Sequence, residues 1–145
     1  MSFAMTKAER EAFLADVHVG IVCVNEAGRG PLAAPVWYRY EAGGDVCFVT
    51  GGQSRKAKAL RAAGRATMVA QTEAAPYKYV TVEGPVTFGE PDIERDARQV
   101  AIRYLGKVLG EQYVESTANT RESSVLVRIT PERWLTVDYT KQFAG

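Results

Sequence analysis

The 145-residue chain carries 18 Lys and Arg against 17 Asp and Glu, a net charge of +1, with 46% apolar and 24% charged residues. That length suits one domain over residues 1–145, able to bury about two-thirds of the surface its unfolded form exposes. The composition excludes disorder and coiled coil, and the near-neutral balance excludes a global field recruiting nucleic acid or an anionic membrane, so any anion site must be a local cluster. Cys23 and Cys47 lie in apolar runs outside any Cys-x-x-Cys pair and read as small hydrophobes of a reducing cytoplasm. Lys7, Glu9, Arg10 and Glu11 stand where a secretory signal needs an apolar run, and no stretch reaches about 18 apolar residues, so a cytoplasmic location is expected.

Thr6 and Glu9 form a capping-box pair ahead of Phe13, Leu14 and Val17 at helical spacing, which predicts a short opening helix. His18 to Asn25 alternates and is β-rich, and Gly28 and Gly30 supply the turn of a first hairpin. Leu32 to Tyr40 and Val46 to Thr50, joined through Gly43-Gly44-Asp45, predict a second hairpin. Ser54 to Ala63 is Ala- and Lys-rich with Gly64 at the C-cap position, which predicts a helix. Arg65 to Gln71 and Tyr77 to Phe88 read as a fourth and a long fifth strand; hairpin spacing of this kind favours a meander or barrel over a parallel sheet. Asp92 can cap a long helix whose Ile93, Ala97, Val100, Ala101, Tyr104, Leu105 and Val108 make one apolar stripe. Glu111 to Ser124 is polar without a clear period and reads as a mobile loop or frayed helix, and Val125 to Val137 returns to strand composition apart from Pro131.

The junction from Phe48 to Leu60 is the informative stretch, because two glycines join an apolar strand to a basic helix start. Gly51 and Gly52 can take positive φ and bring backbone close to a ligand, while Ser54 caps the helix. The dipole end and the charges of Arg55 and Lys56 would hold an anion from three directions, with Lys58, Arg61 and Lys78 nearby. A solvated strand-helix turn has the same composition.

Several motifs stand in order along the chain: Gly30-Pro31-Leu32-Ala33-Ala34-Pro35-Val36-Trp37-Tyr38, the Phe-x-Thr ending at Thr50, Ser54-Arg55-Lys56 with Leu60 and Arg65-Ala66, and Val80-Thr81-Val82-Glu83-Gly84-Pro85-Val86. Over roughly residues 6 to 137 this set resembles the pyridoxamine 5'-phosphate oxidase-like split β-barrel family. The resemblance implies an α+β fold: an antiparallel, Greek-key-like barrel of about six strands with a few flanking helices. It implies a flavin or deazaflavin bound at the boundary of a homodimer. Val49, Thr50, Ser54, Arg55 and Lys56 would meet its ring edge and phosphate, and Pro35, Val36 and Trp37 would lie along its ring. Without the resemblance, Trp37 and Tyr38 read as core or interface aromatics. Lys56 is the first candidate for phosphate and Arg55 the second, a point contact and a fork for one group. Lys58 would reach an acidic extension of the cofactor.

Pyridoxamine phosphate oxidases of the family have an Arg where this chain has Ala34 and a Gln near the ring where it has Tyr79; their C-terminal Trp and Arg pattern is not reproduced around Arg133-Trp134. Pyridoxamine phosphate oxidation itself is not expected. The Pro35 to Tyr38 stretch resembles the actinobacterial branch that uses coenzyme F420, a deazaflavin, or FMN. The single histidine, His18, has no metal-ligand or triad partner at a useful spacing, and Glu83 reads as the rim of a strand. Scarcity of acid-base groups fits an oxidoreductase whose cofactor carries a hydride to or from a small organic substrate. It fits equally a non-catalytic carrier of a flavin, a deazaflavin or haem.

Overall fold

The computed structural model describes residues 2–143. Helix α1 (Lys7–Ala15) starts on the Thr6–Glu9 capping box and leads into β1 (Gly20–Val24) and β2 (Leu32–Val36), which pair antiparallel from Gly20 opposite Val36 to Val24 opposite Leu32. Then follow β3 (Val46–Gly51), helix α2 (Arg55–Ala63), β4 (Arg65–Gln71) and β5 (Lys78–Gly89). A π-helical segment, Ile93–Arg98, precedes α3 (Gln99–Leu105) and α4 (Lys107–Ser116), and a 3₁₀ segment, Ala118–Ser123, leads to β6 (Ser124–Ile129) and β7 (Arg133–Asp138). The antiparallel sheet runs β2-β1-β4-β5-β6-β3, with β7 added to β5. This is the curled half-barrel of an α+β split barrel. Its core includes Val22, Met68, Val80, Val82, Val127 and Ile129, each no more than 1% exposed, with Leu14 and Leu60 from the helices.

Three expectations change. β2 and β3 do not form a hairpin ladder; Arg39 and Cys47 alone bridge them, through backbone bonds of 2.9 and 3.0 Å. β2 stops at Val36 because the Tyr104 hydroxyl, from α3, takes up the Tyr38 N–H at 3.1 Å and leads that stretch away from the ladder. The helix expected from Asp92 through Val108 breaks at Gly106, whose φ of 84° ends α3, and Ile93 and Val108 are 50% and 70% exposed, so the apolar stripe is only partly buried. Of the two expectations for residues 111–124, a mobile loop or a frayed helix, the helical one holds over most of their length. Val125 to Val137 divides into two strands at Thr130–Glu132, where Pro131 can donate to neither ladder.

β5 bends as it passes from β4 and β7 to β6, and Gly84 marks the bend. A Cβ there would lie 1.7 Å from the Thr130 carbonyl oxygen, so only glycine lets the 129–133 turn cross so closely. No helix among the described residues is long and apolar enough to cross a membrane.

Candidate functional site

Because β2 and β3 meet only at Arg39 and Cys47, a cleft of about 480 Å³ remains between them. Pro35, Val36 and Trp37 form one wall and Phe48, Val49, Thr50 and Gly51 the other. Ala97, Val100, Ala101 and Tyr113 close it from the helical side, and Thr117, Thr120, Arg121 and Ser124 add a polar end. Cys47 spends its backbone N–H and C=O on Arg39, so by strand alternation Val49 turns both of its groups to the same side, away from β6, and Gly51 its N–H, the Gly51 carbonyl being taken by Ser54. An edge strand thus offers free backbone groups to whatever fills the cleft.

The cleft continues to the start of α2. Ser54 caps that helix, accepting from Ala57 N–H at 3.1 Å and donating to the Gly51 carbonyl at 2.7 Å, with Thr50 Oγ1 at 3.3 Å from its hydroxyl. Gly51 and Gly52 are not in the positive-φ region, contrary to expectation. Glycine is required at 52 for space: a Cβ would sit 2.9 Å from the Ser123 carbonyl oxygen, which accepts the Gly52 N–H at 2.7 Å. Lys56 lines the cleft half-buried, and burial, with no charged neighbour opposing it, lowers its pKa. An ammonium so placed is short of a counter-ion.

Pro35, Val36, Trp37, Val49, Thr50 and Lys56 therefore come together, with Ser54 adjoining. Arg55 and Lys58 do not join them. Arg55 makes a two-pronged pair with Glu26, at 3.1 and 2.5 Å, and with Lys58 it lines a separate depression beside Asn25 and Arg29, on another face of α2. The reason is helical rotation, about 100° per residue, which turns Lys56 inward and its neighbour outward. Tyr79 lies on β5 between Gln71 of β4 and Val137 of β7, outside the cleft. Arg61 braces the turn, donating to the Gly52 carbonyl at 2.6 Å with its guanidinium 5.2 Å above the Phe88 ring.

Four cleft residues have no role in the sequence reading: Arg39, Asp96, Tyr113 and Arg121. The Asp96 side chain, 1% exposed, accepts from Arg39 Nε at 2.7 Å, Arg95 Nη2 at 3.2 Å and Asp92 N–H at 2.8 Å. Burial pushes its pKa up, but the bonds from Arg95, Asp92 and Arg39 outweigh that and hold it below the usual carboxylate range. Asp96 is a fixed anion that pins the π-helical segment to the barrel. Trp37 stacks on Tyr104 with ring centroids 5.1 Å apart and 6° between planes, and Tyr113 tilts against it at 5.2 Å. His18 stacks on Phe13 at 4.2 Å while its carbonyl accepts from the Tyr104 hydroxyl, and burial lowers its pKa. The one sequence signal for the polar end is the unpatterned Ser, Thr and Arg run itself, a composition common in segments that carry binding groups.

Residues 6–138 match the family profile described as pyridoxamine 5'-phosphate oxidase. The chain belongs to this family. Among solved structures, a conserved hypothetical protein from Mycobacterium tuberculosis is similar at 23% identity with a TM-score of 0.81, over 98% of this chain and 90% of that one. An F420 reductase is similar at 17% identity, TM-score 0.72, over 86% and 94%. An FAD-binding protein from Mesorhizobium loti is similar at 17% identity, TM-score 0.64, over 92% and 94%. Identities this low speak for the fold. No match is found among curated proteins.

Proposed function

We propose that this member of the pyridoxamine 5'-phosphate oxidase family is a cytoplasmic flavin-type oxidoreductase that holds coenzyme F420, or else FMN, in the β2–β3 cleft and acts on a small organic molecule. The observation that carries the reading is Lys56, a half-buried ammonium without a carboxylate partner among the described residues, beside a capped helix start at one end of an apolar cleft. The cleft fits such a cofactor: it lies within the usual size of ligand pockets, and it joins an apolar slot and free strand edge to a cationic end. The F420 reductase and the FAD-binding protein with the same fold support the choice of cofactor class.

When bound, the flavin or deazaflavin ring supplies hydride chemistry. The chain supplies position and environment. Lys56 would hold the anionic group, the Val49 backbone and the Gly51 N–H would meet polar ring atoms, and Pro35, Val36 and Trp37 would cover apolar surface and exclude water. Burial pushes the Cys47 thiol up and keeps it neutral, and Asp96 is spent on its arginines, so neither is placed to exchange protons. That same scarcity favours a second reading, a carrier that binds without turnover. Reoxidation of the reduced, bound cofactor by an organic acceptor distinguishes the enzyme from the carrier.

F420 is preferred on charge. Its acidic tail extends past the phosphate, and the neighbouring depression beside α2 carries Lys58 and Arg29, with Arg55 already paired to Glu26. Fluorescence titration tests both points. Lys56→Ala is expected to weaken FMN and F420 binding by about tenfold or more while Arg55→Ala changes FMN binding little, since a charge-assisted contact is worth roughly 1.5–3 kcal/mol. Unchanged affinity in Lys56→Ala refutes the phosphate assignment. The preference for F420 should shrink between low salt and about 0.5 M, and tighter FMN binding at both salts overturns the cofactor choice.

A homodimer is part of the proposal. Val19, Val49 and Tyr113 leave apolar surface 50%, 36% and 44% exposed around the cleft, a surface that a second copy would cover. Light scattering that reports the 15.9 kDa monomer at micromolar concentration refutes it.

A further inference from the structure

The cleft is lined by three cations besides its backbone: Arg39, Lys56 and Arg121. Arg39 is neutralised by Asp96 at 2.7 Å. Among the described residues Lys56 and Arg121 have no carboxylate partner, and both are partly buried. Arg121 Nη2 donates to the Val114 carbonyl at 2.6 Å, which fixes the guanidinium but leaves its other donors for a second partner. The segment that carries it is docked on the glycine turn: the Gly52 N–H reaches the Ser123 carbonyl, and the space a Cβ would need at Gly52 is occupied by that oxygen. The turn leading to Lys56 and the segment bearing Arg121 are thus one packed unit with two uncompensated positive charges facing one cleft.

We infer that Arg121 is the second cation of the anion subsite, a fork that meets the phosphate of the bound cofactor from the 3₁₀ segment while Lys56 meets it from α2. This rests on the cofactor reading of the cleft. A charged fork and a point charge on separate elements surround a group bearing several oxygens better than either alone, and the fork adds orientation. The competing role is purely structural. Arg121 follows the C-terminus of α4 and bonds one of its last carbonyls, which by itself stabilises a helix end. The two roles differ in what they predict for a ligand that lacks the phosphate.

The experiment compares FMN with riboflavin, and F420 with its phosphate-free riboside, on wild type, Arg121→Gln and Arg121→Lys, with thermal melts of each protein. Arg121→Gln is expected to weaken the two phosphorylated ligands by about tenfold or more and the phosphate-free ones by less than about twofold, with Arg121→Lys recovering part of the loss. A lowered melting temperature with the phosphate preference intact overturns the inference in favour of the helix-end role. Equal weakening of both ligand types overturns it as well. Wild type that prefers the phosphorylated forms and loses that preference in Lys56→Ala but not in Arg121→Gln removes the inference and leaves the cofactor reading standing. Wild type that binds none of the four ligands removes both.

Discussion

Asp96→Ala is expected to destabilise the protein by roughly 3 kcal/mol, because breaking a buried ion pair leaves its partner charges in place without the anion that offset them. The effect falls at the low end of the usual range since the Arg39 and Arg95 side chains keep 28% and 48% of their exposure and can recover some hydration. The loss should appear as a fall in Tm of roughly 6–12 °C for a chain of this size, and as a lower urea midpoint at pH 7. Because the folded-state pKa is held below its ordinary value of 3.8, the stabilisation is fully present above that value and is lost as pH falls through the lower folded-state value. Wild type and variant should therefore converge in acid. A difference under about 0.5 kcal/mol at pH 7 would show that Asp96 is replaceable and that nothing holds the π-helical segment through it. Cofactor affinity should fall with it, since Ala97, Val100 and Ala101 on the same helical stretch face the cleft.

Gly84→Ala should have an effect as large through a different cause. A methyl group placed 1.7 Å from a backbone oxygen cannot be accommodated by a rotamer change, so β5 or the Thr130–Glu132 turn must move. Overpacking ordinarily costs about 1–3 kcal/mol, and a clash with backbone at a sheet corner belongs at or above the top of that range. Gly30→Ala is the control: nothing lies within 4 Å of the point its new methyl group would occupy and its φ is not positive, so it should change stability by less than about 1 kcal/mol. Equal urea midpoints for the two variants would mean that the corner is not tight.

Much of this arrangement is legible in the sequence because it is local. The Thr6 and Ser54 caps, the turns at Gly28 and Gly43, the C-cap at Gly64 and the strand runs of β4 and β5 each depend on a few neighbouring residues, and each lies where the residue pattern places it. What the pattern misses depends on distant partners. Nothing near Tyr38 announces that a hydroxyl 66 positions away will claim its N–H and end β2. Gly106 is visible, but apolar residues on both sides of it match one continuous stripe and conceal the break. In the candidate site, Ser54 and Lys56 are legible as a capped basic turn, whereas Arg55 is separated from its neighbour only by the rotation of α2 and the presence of Glu26 across the first hairpin. The 111–124 segment reads as a mobile loop or frayed helix because its residues are polar; its order comes from hydroxyl and guanidinium bonds to its own backbone, such as Thr120 to Thr117 and Arg121 to Val114.

The single bridge between Arg39 and Cys47 also sets how a flat guest could enter. Elsewhere around the sheet, neighbouring strands are zipped along ladders several residues long, so parting any of them would open core to water. At this one meridian, among the described residues, two backbone hydrogen bonds join the edge strands of the sheet. Parting that bridge would break two backbone bonds and leave the ladders of the rest of the wall intact. Because Arg39 is also tied to Asp96, the strength of that bridge is coupled to the helical segment packed over it. On the proposed cofactor reading, a ring entering the cleft would meet the fewest backbone bonds at this bridge.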